Sequence, residues 1–240
     1  MALASPAALH GQLKVLMSGG FSAAYQELQP QFTKATGISV TTARGPSQGT
    51  GPNTIGAQLR AGFVADMTIL SKEGLEGLIA EGRVVPQSVV DLARVPMGLA
   101  VRAGARKPDI GTVAAFKETM LRARSIGIQS TTAIYLTTKL FPRLGISEAM
   151  AGKISSGGAA AVAQGEPEMA VLPISELLHV PGVDYIGPIP AEIQSISVFS
   201  AAILKGAKEP EAAKRLIGFL ASEQAKKAIS RTGMEPLGSR

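Results

Sequence analysis

Cysteine and tryptophan are absent from the 240 residues, histidine occurs twice, and aromatic side chains make up only 4%. Without cysteine there is no disulfide, no thiolate nucleophile and no thiolate metal ligand. The two histidines, His10 and His179, stand far apart with no HExxH-type spacing, so no metal site is expected. Scarce stacking rings and the lack of a basic cluster leave little from which to build a nucleic-acid site. No apolar run approaches bilayer-spanning length, and no membrane insertion is expected. Gly49 and Gly51 lack the lysine and following hydroxyl of a P-loop, and the adjacent pair Gly19 and Gly20 lacks the spacing of a dinucleotide fingerprint, so no cofactor is expected. Ser18 and Ser47 have no histidine partner in a recognisable arrangement, which argues against a hydrolase.

What is present is an apolar content of 45%, enough to fill one large core or two ordinary ones. Lysine and arginine outnumber aspartate and glutamate by 24 to 18. The resulting positive charge, spread along the chain, raises the encounter rate with small anions. Met1 to His10 is rich in small residues, like the region around a signal-peptidase site, and reads as the start of an exported, periplasmic protein with its signal removed. Residues 1–11 and 238–240 are expected to be flexible ends without function.

Short apolar runs alternate with amphipathic stretches along the sequence. Leu13 to Met17, Ile38 to Thr42 and Val64 to Leu70 read as strands; Tyr25, Leu28 and Phe32, then Glu73 to Glu81, fall on helices. Pro30 is expected to bend the first helix and Gly37 to end it. A second block begins near Val95, with Met97 to Val101, Ser125 to Ile128, Met169 to Leu172 and Tyr185 to Ile186 as strands, and Val113 to Arg124 as a helix. Thr132 to Leu144 reads as a helix interrupted at Pro142, and Ser156-Gly-Gly-Ala as a glycine turn opening a closely packed helix. Pro210 opens a final helix on which Ala213, Leu216, Ile217 and Leu220 share one face. Strands alternating with helices predict an α/β fold with largely parallel sheets, in two blocks.

Several pieces in order resemble the type 2 periplasmic solute-binding proteins, the molybdate-binding-protein-like group. They are Ser18-Gly-Gly-Phe, Gly45-Pro-Ser-Gln-Gly-Thr, Ala65-Asp66 opening the third strand, Gly82-Arg-Val-Val-Pro, Phe141-Pro-Arg-Leu-Gly, Gly165-Glu-Pro-Glu-Met-Ala, and the segment from Ala202 to Ile229. The resemblance implies a two-lobed fold with a ligand cleft between the lobes. Lobe one would be residues 12–93 plus 206–237 and lobe two residues 94–205. A ligand would sit at the carboxyl ends of the strands.

On that fold, four loops meet at the cleft, and their serines, threonines and glycine amides suit an anion held by N–H and O–H donors. The expected binding residues are Ser18, Gly19, Gly20, Arg44, Ser47, Gln48, Thr50, Ser71, Ser130, Thr131, Thr132 and Ser175. Singly, each such serine or threonine is equally explained as a helix N-cap. Arg44 and Lys72 stand where they would clamp a carboxylate, which favours an organic acid, a tricarboxylate, over molybdate. Within the family the cleft-loop wording is closest to the subgroup that contains aconitate isomerase. That subgroup implies an enzyme interconverting trans- and cis-aconitate by a 1,3-allylic proton shift without cofactor, with Lys72 and Tyr135 as catalytic groups. Glu73 and Glu176 are further carboxylates near the cleft loops, each equally explained by its helix start. The alternative is a receptor that carries a small anion to an ATP-binding-cassette permease unchanged. A monomer is expected in either case.

Overall fold

The structure, a computed structural model, describes residues 11–238. The expectations for residues 1–10, His10 included, lie outside the described residues. Strands are β1 (Leu13–Met17), β2 (Val40–Arg44), β3 (Met67–Ser71), β4 (Val90–Arg102), β5 (Ile126–Gly127), β6 (Ile154–Ser155), β7 (Met169–Pro173), β8 (Val183–Pro188), β9 (Ile196–Ile203) and β10 (Glu235–Pro236). Helices are α1 (Ser22–Thr36), α2 (Ile55–Arg60), α3 (Lys72–Ala80), α4 (Val113–Arg122), α5 (Ser130–Tyr135), α6 (Phe141–Leu144), α7 (Ser147–Met150), α8 (Ala159–Gln164), α9 (Pro210–Leu220) and α10 (Glu223–Arg231).

The sheet order is β2-β1-β3-β9-β4-β7-β5-β6, with β8 and β10 also pairing with β4. At either end the pairs are parallel: β1 with β2 and β3, and β5 with β6 and β7. In the middle, β9 is antiparallel to β3 and β4, and β4 is antiparallel to β7 and β8. The sheet is therefore mixed rather than largely parallel. The cause lies in two long strands of opposite direction. β4 pairs with β9 through Pro96 and changes partner at Met97, where its ladder with β7 begins. Only Met97 to Val101 is legible as a strand in the sequence, because Asp91, Arg94 and Pro96 interrupt the apolar pattern before it.

The result is an α/β, two-lobed architecture with a curled sheet and a cleft between the lobes. One core gathers Leu13, Val15 and Met17 of β1 with Leu28 and Phe32 of α1 and Leu216 and Leu220 of α9. A second gathers Leu99 of β4 with Phe116 of α4, Leu136, Phe141 and Val171 of β7. Each such fully buried side chain contributes about 1.5–3 kcal/mol by leaving water. The face of α9 foreseen from its spacing, Ala213, Leu216, Ile217 and Leu220, is buried throughout, with Pro210 in the first turn.

α1 runs through Pro30 to Thr36 and ends at Gly37, which adopts the left-handed conformation at φ 72°. Pro142 does not interrupt its helix. The chain is helical from Ser130 to Leu144, with a wide π turn at Leu136–Leu140 in which the Phe141 amide donates to the Leu136 carbonyl. That wider register places Pro142, which has no N–H, in a first-turn position of α6. The Gly157–Gly158 stretch packs as expected. A Cβ on Gly127 would stand 2.2 Å from the Gly157 carbonyl oxygen, so the two segments approach at backbone distance.

Candidate functional site

β1 gives way to Ser18, whose amide donates to the Ile69 carbonyl at 2.8 Å while its backbone stays extended. The residue stands as N-cap of a 3-10 turn, Gly19–Phe21, that runs directly into α1. Its hydroxyl makes no capping hydrogen bond. Ser18 is 3% exposed, and its Oγ has no hydrogen-bond partner among the described residues. The opening N–H groups of this helical run have no intrahelical acceptor either. Gly20 follows because nothing larger fits: a Cβ there would lie 1.9 Å from Cζ of Phe199.

Around Ser18 opens a cavity of about 340 Å³. From the sequence-derived set it is lined by Ser18, Gly19, Gly20, Arg44, Ser47, Ser71, Ser130, Thr131 and Thr132. The lobes meet across it. The Gln48 amide donates to Ser130 Oγ at 3.2 Å, and the hydroxyls of Ser71 and Thr131 share a hydrogen bond of 3.0 Å. Ser47 Oγ accepts from the Ser71 amide at 2.9 Å, and Ser71 Oγ accepts from the Gly74 amide as N-cap of α3. Arg44, at the end of β2, donates to Ser22 Oγ from the rim. Ser130 is held at φ 55°, in the left-handed region that costs a residue with a side chain about 1–2 kcal/mol.

Five of the residues expected at the site stand elsewhere. Gln48 and Thr50 line a neighbouring depression that also includes Ile134. Ser175 supports the site from behind, donating to the Gly20 carbonyl at 2.7 Å. The Tyr135 hydroxyl donates to the Ile193 carbonyl at 3.1 Å, and its ring packs against the second core. Lys72 turns away as well. Its ammonium pairs with Asp91 at 2.7 Å on a side chain nearly half exposed. Its pKa is raised by the Asp91 hydrogen bond and charge. Burial works to raise the Asp91 pKa, but the hydrogen bonds from Lys72 and Ser200, with the Lys72 charge, bring it below the usual range.

The cavity also holds residues that sequence reasoning did not place there, Asn53, Gln129, Ser197 and Phe199, and it brings in Glu176, a carboxylate expected near the cleft loops. Ser197 and Phe199 alternate on β9, a period-two signal that was available. Glu176 stands apart as an acid among donors. It closes a 3-10 turn, Ile174–Glu176, and its carboxylate faces Gly19: a Cβ there would lie 3.2 Å from Oε2. Burial raises its pKa to about 7.

The chain matches the family described as bacterial extracellular solute-binding protein over residues 13–235. It belongs to that family. Family membership places the chain in the periplasm. A Pseudomonas protein named aconitate isomerase is 37% identical over 230 residues, covering 94% of this chain and 88% of its own. Among solved structures, the sulfate-binding protein SubI from Mycobacterium tuberculosis H37Rv superposes with a TM-score of 0.75 at 15% identity, covering 95% of this chain and 88% of its own. The periplasmic molybdate-binding protein of Azotobacter vinelandii does so with a TM-score of 0.73 at 20% identity, covering 92% and 98%. At those identities the likeness is one of fold.

The reading of this family member as an enzyme is overturned. Solved structures that share its architecture are named as binding proteins, and among the described residues no group of three or more His, Asp or Glu stands where it could hold a metal ion. The groups read as catalytic are engaged elsewhere, Lys72 with Asp91 and Tyr135 with Ile193. Replacing Lys72 by alanine therefore removes an exposed ion pair worth about 0–1 kcal/mol and leaves anion affinity within about twofold. Calorimetric titration of the variant checks this; a tenfold loss would return Lys72 to the site.

Proposed function

We propose that this protein is a solute-binding receptor that captures a small organic carboxylate in its interlobe cleft and delivers it unchanged to an ATP-binding-cassette permease. The observation that carries the reading is the Ser18 hydroxyl, buried and without a partner on the wall of the cavity. A buried polar group left unpaired costs about 1–3 kcal/mol, and a ligand oxygen removes that cost. Hydroxyls of Ser71, Ser130 and Thr131 and the open amides after Ser18 surround the same space, which suits an acceptor-rich guest. Arg44 at the rim favours a carboxylate, which a guanidinium grips with two parallel hydrogen bonds. The volume, about 340 Å³, is that of a small-molecule site and exceeds what a tetrahedral oxyanion fills. The relative named for aconitate supports an organic acid as the class.

The same reading takes the binding residues to be the nine that line the cavity, with Gln48, Thr50 and Ser175 in supporting positions. It keeps the division into residues 12–93 plus 206–237 and residues 94–205, with the hinge on the strands that pass between them. The test is a melting series with trans-aconitate, cis-aconitate, citrate, sulfate and molybdate, followed by calorimetry and by NMR of the recovered ligand. A carboxylate at a hundredfold excess over its Kd should stabilise the protein by about 2.7 kcal/mol. Stabilisation by oxyanions alone, by none of the five, or conversion of the recovered ligand would each sink the reading.

A further inference from the structure

Glu176 is out of place in a cleft built for anions. Among the described residues that line the cavity, Arg44 is the other charged one. No hydrogen bond or opposite charge contributes to the state of the Glu176 carboxyl; burial alone acts on it. The turn that carries it is fixed, not free to swing out. Pro173 precedes it at φ −51°, Ser175 is tied to the Gly20 carbonyl, and Ile174 packs against Gly98 of β4, where a Cβ would lie 3.1 Å from Cγ1. The carboxyl is thus held beside Gly19, on the same cavity as the Ser18 hydroxyl, which has no hydrogen-bond partner among the described residues.

Resting on the receptor reading, we propose that Glu176 serves the ligand as a neutral carboxyl group, donating a hydrogen bond to the bound anion so that each anion captured holds one proton in the cleft. An ionised Glu176 beside a bound carboxylate would set two like charges in one partly buried site, which disfavours one of them strongly. A neutral carboxyl does the opposite: it adds a donor to a site made of donors. The surroundings leave this group free to act alone. The turn Gly19–Phe21 packed against it has no titratable side chain, and neither has the stretch Met97–Val101 of β4. β9 offers Ser197 and Phe199, and the facing lobe offers Gln129, Ser130, Thr131 and Thr132. On its own side, the nearest titratable neighbour in sequence is His179, exposed and bonded to the Arg231 carbonyl.

The consequence is a pH-dependent affinity. With the free carboxyl titrating near pH 7 and its bound form held protonated, the Kd for a carboxylate rises about tenfold between pH 6 and pH 8. The test is calorimetric titration of trans-aconitate into the wild-type protein and Glu176→Gln at pH 6, 7 and 8, each in two buffers of different ionisation heat. Comparison with the variant removes the ligand's own titration. The expected result is a proton uptake approaching one per anion at pH 8 in the wild type. The amide, which imitates the neutral acid, should show no such uptake and a Kd near the wild-type value at pH 6. Equal uptake in both proteins would overturn the proposal. So would a variant that stays folded yet loses binding at every pH, since that marks Glu176 as an acceptor. Absence of binding in both proteins at all pH values would instead overturn the receptor reading on which this rests.

A second readout needs no ligand. A carboxyl whose folded pKa is raised contributes stability that is present below its ordinary pKa of 4.5 and is lost as the pH rises through about 7. The Tm of the anion-free wild type should fall across that window relative to the Glu176→Gln variant. Parallel curves would overturn the proposal.

Discussion

Asp66→Ala is expected to destabilise the protein by about 3–5 kcal/mol, because it leaves three backbone donors without their acceptor at about 1–3 kcal/mol each. Asp66 is 2% exposed and precedes β3. Its carboxylate ties three distant pieces of backbone together. Oδ2 accepts from the Lys14 amide on β1 at 2.8 Å, and Oδ1 accepts from the Lys208 and Glu209 amides at 2.7 and 3.1 Å. The last two lie at the start of α9, where the chain returns from β9, so the negative charge also meets the positive end of a helix dipole. Alanine would strand three donors and leave a void. Asparagine, with one acceptor oxygen and no charge, should retain part of the network and lose less. Urea unfolding of both variants measures this, with the slope against denaturant unchanged if the native state is otherwise intact. A loss below about 1 kcal/mol for the alanine variant would show that solvent replaces the carboxylate, and that the returning helix is fixed by its apolar face alone.

Asp66 also marks how far the sequence can be read. Its position at the head of the third strand is visible in the sequence, but its partners lie as far away as residue 209. The same division runs through the whole chain. Local chemistry is legible: the left-handed stop at Gly37, Pro210 opening α9, and the apolar face that buries Leu216 and Leu220 all follow from neighbours within a few positions. Pairing across long separations is not. The antiparallel run of β4 and β9 joins residues about a hundred positions apart, and nothing in the mixed pattern from Val90 to Pro96 announces it. At the site, the serine-rich loops come together because each follows a strand end, which the α/β pattern fixes. The misplaced side chains are those whose direction depends on a remote partner. Lys72 turns to Asp91, Tyr135 reaches Ile193, and Ser175 bonds to Gly20 across 155 positions. Glu176 is legible as a carboxylate near the cleft loops, but its place in the cavity wall is not, for the converse reason. A carboxylate after a strand reads as an ordinary helix-start residue until packing shows that no helix amide takes it.

Ser18→Ala separates the cost of the site from its use, and is expected to move stability and binding in opposite senses. In the unliganded protein the Ser18 hydroxyl is a buried donor without an acceptor, so its removal should leave stability unchanged or raise it by about 1 kcal/mol. On the proposed reading, the same hydroxyl faces a charged guest in the complex. Hydrogen bonds to charged groups contribute about 1.5–3 kcal/mol, which converts to a loss of affinity of roughly tenfold to a hundredfold. Thermal melting without ligand and calorimetry with the carboxylate identified by the melting series measure the two sides. A variant that binds normally but melts early would assign Ser18 to the fold, as a serine completing the turn into α1. The expected pair of results instead makes the turn a binding device: the residue after β1 is an extended serine whose side chain caps nothing, and the helical turn behind it opens on the cavity wall at Gly19 and Gly20. Protein donors that cost stability in the empty cleft and regain it only on capture give the ligand a larger share of the closing energy, as a receptor that must distinguish loaded from empty requires.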